Sequence, residues 1–596
     1  MLHYLVELCE QAPKGFALTI FLSILSTLYL IRRALLPKPL PGIPYNKAAA
    51  NSIFGDLPEF RASTNRREWW ARQAVKHQSP LVQIFMKPFG LPWVFVADHF
   101  EASDICMRRL KEFDRADVSR QQFGGLSPGH QITLKTSDPR FKKNRELVRD
   151  LMSTSFLQQA TAPQIHHKFS TLMELWDRKR RLASGRLFDI SHDIHSAAFD
   201  IILGASFGVD SGQGQIGKEL AELKGKGTAG RDDDVFEFQT VPNYDEDLDC
   251  FDTLIQSFNV SMRSPYPLIS HFLYRNLSGK MRKANEMRIK LQDREIAKCI
   301  ERKAKGQPQR CALDNMMARE DAIAEKEGRE PDYRSQTIVS EVRNQDYLSP
   351  YQANVLKLLG YLIAGHETTS AVLKWGMKYL TNDQRVQSLL REEFRKAHAE
   401  VIKQKRVPTM EEILKAHIPY FDAVIEETLR HARVAPVTLR EAVTDTQILG
   451  YHIPKGTTIG FLGNGPGVLM PSIPVDPSKR SEASRAHLDK MGLFNESDIS
   501  QFVPERWLTK QTNEDGDEET VFDPNNGPQQ AFGLGPRACF GKKLALMEIK
   551  TFFTFVFWEF KLEPVKPELA TDEELVALTR APKNVYVKLT KVECCG

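Results

Sequence analysis

The chain has 596 residues, with 81 lysines and arginines against 76 aspartates and glutamates and a formal net charge of +5. That length can bury a large core, and the near balance of charge argues against a dedicated nucleic-acid binder, which carries a strongly basic stripe. The eight cysteines fit no disulfide framework or zinc spacing and point to a reducing compartment.

In chain order, residues 15–31 come first, an uncharged run of 17 at the short end of what spans a bilayer as a helix. Lys14 precedes the run. Arg32 and Arg33 follow it, where a stop-transfer signal carries them, so the positive-inside tendency places the body on the cytosolic side. A cleaved signal peptide, with an apolar core of about 7–15 residues, is the competing reading. Residues 1–36 are therefore expected to be a membrane anchor. Residues 37–48 are expected to be a proline-rich hinge, because repeated proline stiffens the chain and forbids helix continuation.

The body, residues 49–596, reads as one mainly α domain with a smaller β region. Short runs at 80–85 and 91–96 suggest strands among helices. Residues 138–208 are largely helical in pattern. Residues 211–245, rich in Gly, Lys and Asp, read as a surface loop, and 303–344 as a charged, weakly patterned stretch. A helical pattern of some thirty residues spans 349–380, long for a globular helix. Helices continue to about Arg433, strand-like segments surround 444–460, and 463–484 is irregular. A last helix after Gly541 leads to a strand near 584–589.

The segment from Phe532 to Gly541 holds the densest chemistry. Gly533, Gly535 and Pro536 predict a tight turn that delivers Cys539 to a helix N-terminus. Exposed N–H groups and the dipole there favour a thiolate able to hold a soft or borderline metal. A structural cysteine in a glycine turn is the alternative for this residue taken alone. The segment resembles the haem-binding pattern of the cytochrome P-450 family, Phe-x-x-Gly-x-Arg-x-Cys-x-Gly, at Phe532, Gly535, Arg537, Cys539 and Gly541. The resemblance implies haem b with Cys539 as axial ligand to iron, Phe532 shielding the sulfur and Arg537 on a propionate. It also implies the cytochrome P-450 fold, with residues 49–596 as the catalytic domain. A thiolate pushes electron density through iron and favours O–O cleavage.

Other landmarks follow in family order. Glu427 and Arg430, three apart, share a helix face and resemble the Glu-x-x-Arg motif. Arg506, in Pro504-Glu-Arg-Trp507, resembles the arginine that completes the cluster. The three are assigned to hold the cysteine loop. In the long helix, Ala364-Gly-His-Glu-Thr-Thr369 resembles the oxygen-activation motif. Gly360, Ala364 and Thr368 form a small-residue stripe that a flat cofactor could approach, and Glu367 beside Thr368 suits proton delivery. Close helix packing, with the Thr368 hydroxyl bonded to its own backbone, is the competing reading. His366 is read as a solvated or core-satisfied histidine. Arg145 and Arg440 are the further propionate candidates. Phe141 departs from the tryptophan usual before Arg145 and removes an indole donor.

A second departure, the long irregular stretch 463–500, resembles filamentous-fungal enzymes of secondary metabolism. The resemblance implies a single-pass endoplasmic reticulum protein whose catalytic domain faces the cytosol. It would oxidise a small, largely apolar organic substrate with dioxygen and electrons from an NADPH-dependent flavoprotein reductase. Arg537, Lys542, Lys543 and Lys550 are candidates to meet that acidic partner. The rival functions are a haem-thiolate isomerase or dehydratase without external electrons, and a non-catalytic haem protein.

Overall fold

The computed structural model describes residues 13–63, 65–87, 90–126, 129–208, 214–223, 227–229, 234–238, 246–264, 266–331, 333, 354–512, 516–576 and 579–592. Helix α1 (Pro13–Leu35) has two arginines in its last turn, where they complement the carbonyl end of the dipole. Its window Ala17–Leu35 is apolar enough to cross a membrane by length and composition, and none of it is buried against the body. The proline stretch that follows is pinned down rather than loose. The buried Gln83 side chain donates to the Leu40 and Ile43 carbonyls, and its carbonyl accepts from Leu40 N–H.

Gln83 belongs to the main sheet. Strands β1 (Leu81–Ile84), β2 (Trp93–Val96), β3 (Phe113–Arg115), β4 (Val437–Ala442) and β5 (Thr458–Leu462) lie in the order β1-β2-β5-β4-β3. The β2–β5 pair is parallel and the others are antiparallel. Chain segments more than three hundred residues apart thus share one sheet. Arg115 on β3 is brought directly opposite Arg440 on β4.

The helical body is built from α2 (Pro139–Val148), α3 (Ala162–Ala183), α4 (Ser191–Phe207), α5 (Ala312–Glu327), α6 (Asn354–Asn382), α7 (Pro419–Ala432) and α8 (Lys542–Glu559). One core joins Trp176 of α3, Ile202 of α4, Trp375 of α6 and Phe552 and Phe553 of α8. Helix α6 approaches its neighbours through glycine. A Cβ at Gly365 would stand 2.6 Å from Ile202, and one at Gly376 would overlap the Phe553 ring.

Two expectations need correction. Within 211–245, the described residues include a helix (Gln215–Glu222) and a short hairpin pairing Gly227–Ala229 with Phe236–Phe238. Ile216, Val235 and Phe236 are buried there, isolated apolar residues that a Gly-, Lys- and Asp-rich composition concealed. Within 303–344, helix α5 buries Leu313, Met316, Met317 and Ala324, apolar positions spread thinly among charges. Residues 334–353, which include the start of the long helical pattern, lie outside the described residues, as do Cys594 and Cys595.

Candidate active site

The cysteine turn forms because two glycines adopt backbone that other residues resist. Gly533 and Gly535 have φ of 65° and 66°. A Cβ at Gly535 would also overlap the Cys106 carbonyl oxygen. Pro536 opens a single 3₁₀ turn (Gly535–Arg537), and the Cys539 N–H closes the loop by donating to the Phe532 carbonyl at 2.7 Å. Helix α8 starts three residues later.

The Cys539 side chain opens on a cavity of about 1140 Å³, while protein surrounds it on its other sides. Burial pushes its thiol pKa up. A backbone N–H from Gly541 and the charges of Lys542 and Arg145 act in the opposite direction. The N–H and the two cations are the influences that favour the thiolate, and a bound metal cation would act in the same direction.

Gly360, Ala364 and Thr368 line the cavity, so the small-residue stripe of α6 lies on it. The Thr368 hydroxyl donates to the Ala364 carbonyl at 2.6 Å, the backbone bond of the competing reading. Glu367 and His366 do not line the cavity. Glu367 turns towards Thr579, which donates to it at 3.4 Å, and towards His366 and His195. Of the acid and the alcohol, adjacent in sequence but about 100° apart around the helix, the alcohol lines the cavity and the acid does not. His366 is buried rather than solvated, with Nδ1 2.8 Å from the Leu362 carbonyl.

One wall of the cavity is cationic. Arg145, Arg440 and Arg537 all reach it, and so does Arg115, which sequence reasoning missed. Arg145 donates to the Pro536 carbonyl. Arg537 donates to Thr136 Oγ1 at 2.8 Å and to the Gln131 and Leu134 carbonyls. Its guanidinium lies 4.0 Å over the Phe141 ring, so the residue that departs from the family pattern supplies a π face in place of a donor. Burial, followed by repulsion from Arg537 and Arg440, lowers Arg115 to about 9, and its Nε is buried without a hydrogen-bond partner. Burial also lowers Arg537 to about 10, where Asp114 pulls it up and Arg440 and Arg145 push it down.

A sulfur, a small-residue helix face and a group of buried and partly buried arginines on one cavity suit a flat, metal-bearing dianion. Haem b, with its two propionates, has those properties, so the residues present fit it. Nothing in the sequence around Arg115 marked it, since only strand register reveals its partner. Glu548 was missed too, although an acid inside the apolar run of α8 is a readable signal. It is buried against the cavity, hydrogen-bonded to Thr369, and burial raises its pKa to about 8.

Behind the cysteine loop, Glu427 and Arg430 are fully buried and joined by two bonds of 2.8 Å. Arg506 Nε donates to the same carboxylate at 3.1 Å, Trp507 Nε1 at 2.9 Å and the Val503 N–H at 2.8 Å. Burial alone would raise the Glu427 pKa, but hydrogen bonds from Arg430 and His431 outweigh it and hold the carboxyl far below its ordinary range. Arg430 also donates to the carbonyls of Val468 and Ile499, tying down the irregular stretch 463–500. Asn526 and Gln529 then carry the network towards Phe532, bonding the Arg506 and Glu426 carbonyls. Of the basic cluster, Arg537 points inward and Lys550 pairs with Asp422 at 2.8 Å, which leaves Lys542 and Lys543 exposed.

The cytochrome P450 family model matches residues 48–465 and 497–589, so it omits much of the stretch that Arg430 tethers. The chain belongs to the cytochrome P450 family. It is 35% identical over 581 residues to the cytochrome P450 monooxygenase GME11363 of Pestalotiopsis microspora, covering 96% of this chain and 97% of that one. It is 34% identical to the cytochrome P450 monooxygenase TRI13 of Fusarium sporotrichioides, covering 95% and 98%. It is 33% identical to the cytochrome P450 monooxygenase xilC of Penicillium rubens, covering 95% of each. This P450 is accordingly a monooxygenase whose family implies haem b with a cysteine thiolate ligand, dioxygen and a redox partner.

Proposed function

We propose that this P450 is anchored by α1 in the endoplasmic reticulum membrane, with residues 49–596 in the cytosol. There it oxidises a small, largely apolar organic substrate in secondary metabolism. The near full-length similarity to fungal cytochrome P450 monooxygenases supports that setting. The observation that carries the reading is that Cys539, the Ala364 stripe and Arg115, Arg145, Arg440 and Arg537 all line one large cavity.

In this reading Cys539 would hold the haem iron through its thiolate, Phe532 would cover the sulfur, and Arg115, Arg145, Arg440 and Arg537 would bind the propionates. Gly535 shapes the turn. Glu427, Arg430 and Arg506 hold the loop from behind, through the chain that ends at Gln529. Haem held by a thiolate supplies reductive cleavage of dioxygen and oxygen insertion into an unactivated bond. The protein must exclude bulk water and meter protons. The Thr368 hydroxyl, donating to Ala364, presents its lone pairs to the cavity and can order a water there. Glu367 lies outside the cavity, placed to take protons from the surface and pass them inward by a side-chain rotation. An NADPH-dependent flavoprotein reductase supplies the electrons and docks on Lys542 and Lys543.

The carbon-monoxide difference spectrum of the reduced protein tests the reading. A red-shifted Soret band in the wild type that is lost in Cys539→Ala supports it. Folded protein that retains no haem would overturn it.

A further inference from the structure

Three groups of His, Cys, Asp and Glu among the described residues bring ligand atoms within 4.8 Å of one another. In two of them a protein cation already sits. Arg302 donates to Cys299 Sγ at 2.7 Å and to Asp314 at 2.8 Å. Lys179 donates to Asp193 at 2.7 Å and to Glu219 at 2.6 Å. The third group, His195, His366 and Glu367, has no such occupant bonded to its ligand atoms. We propose that these three residues form a binding site for a borderline divalent cation of the Zn²⁺ type, outside the haem cavity.

The tautomers follow from the partners. His366 Nδ1 faces the Leu362 carbonyl at 2.8 Å, which can only accept, so Nδ1 carries the proton and Nε2 carries the lone pair. That Nε2 is buried without a hydrogen-bond partner, and Glu367 Oε1 lies 3.6 Å from it. His195 Nε2 lies 3.3 Å from the Asp252 carboxylate, which likewise assigns the proton to Nε2 and the lone pair to Nδ1. That Nδ1 is 3.9 Å from the same Glu367 oxygen. The other Glu367 oxygen is held by Thr579 at 3.4 Å. Each ligand is thus oriented from behind by a carbonyl, a carboxylate or a hydroxyl, the arrangement that fixes metal-binding imidazoles.

Two nitrogens and one carboxylate oxygen suit tetrahedral zinc and leave the fourth position for water. Zn–N bonds of about 2.0–2.1 Å put ligand atoms about 3.3 Å apart, so a small closure completes the site. The His195 and Glu367 side chains, 18% and 15% exposed, have room to make it and give the ion a way in. Asp252 adds negative charge beside His195, and Lys374 interacts with Glu367, Asp189 and Asp252. A bound cation would take Glu367 out of proton exchange. That consequence rests on the proton role proposed above, whereas binding does not.

The test uses the haem-loaded full chain stripped of metals. Calorimetry with Zn²⁺, and visible absorption with Co²⁺ as a geometric reporter, should show one tetrahedral ion per chain. His195→Gln, at a partly exposed position outside the haem cavity, should keep the haem spectrum and weaken binding by about tenfold or more; Glu367→Gln should do the same. Absence of stoichiometric binding, or binding unchanged in both variants, would overturn the site. If Zn²⁺ also lowers product formed per reductant in the wild type but not in His195→Gln, the proton role of Glu367 gains support. Binding with unchanged coupling would keep the site and count against that role alone.

Discussion

Arg115 and Arg440 face each other across the antiparallel strands β3 and β4, one partly buried and one buried cation in register on the wall of the cavity that Cys539 opens on. Like charges directly opposite in a sheet destabilise it, and Arg115 Nε has no partner to offset its burial. The pair makes sense as a receptor for anionic groups.

Arg115→Gln should therefore have opposite effects on the two forms of the protein. The haem-free chain should melt at a higher temperature, because one repulsive buried charge is gone. Haem should leave the loaded chain faster, by about tenfold or more, as expected for loss of a charge-assisted bond of about 1.5–3 kcal/mol. Thermal melts of both forms and haem transfer to an acceptor globin measure the two effects. A variant that destabilises the haem-free chain would contradict the receptor reading.

Glu427 serves five donors from Arg430, Arg506, Trp507 and Val503. Glu427→Ala strands two buried arginines and should cost about 3–5 kcal/mol in urea unfolding. Arg430→Lys should not preserve the stability, since an ammonium cannot make both parallel bonds. The carboxyl is depressed in the folded state, so its contribution is complete above the ordinary carboxylate range. It is lost only as pH falls below that range towards the folded pKa. Acid titration of the wild type should show that loss, and Glu427→Gln should lack it.

The landmarks that were legible in the sequence are those whose chemistry is local. The Cys539 turn, the Glu427–Arg430 spacing and the long helix each sit in one short stretch, where periodicity and residue type suffice. Arg115 was not legible, because its role depends on a strand partner 325 positions away. The direction in which Glu367 points was not legible either: it turns to Thr579, His366 and His195 while Thr368 beside it lines the cavity, and only packing decides that. Helix α5 and the Val235–Phe236 hairpin were hidden by sparse apolar residues that become a face only once packed.

Glu548 predicts an opposite pH dependence to Glu427. Its folded pKa, about 8, is above the ordinary carboxylate value, so the folded state binds the extra proton between the two. Stability should fall as pH rises from about 4.3 to 8, by on the order of a few kcal/mol. Glu548→Gln should flatten the profile in that window. A wild-type profile that is flat there would mean the carboxyl finds a charged-state partner, and the variant would then change nothing.

Thr368 separates the two readings of the α6 stripe. If its hydroxyl only satisfies the Ala364 carbonyl, Thr368→Ala removes a helix bond of little consequence, and reductant should still be converted into product. If the hydroxyl orders the water that delivers protons, the same variant should oxidise reductant at a similar rate but release peroxide. Product per reductant should then drop by about 10²-fold, the lower end of what positioned proton transfer contributes. Thr368→Ser, which keeps the hydroxyl, should recover most of the coupling. Parallel assays of NADPH loss, peroxide and product in the three proteins distinguish the cases. The cavity-facing placement of Thr368 favours the second, because a residue there for packing alone would gain nothing from an oxygen.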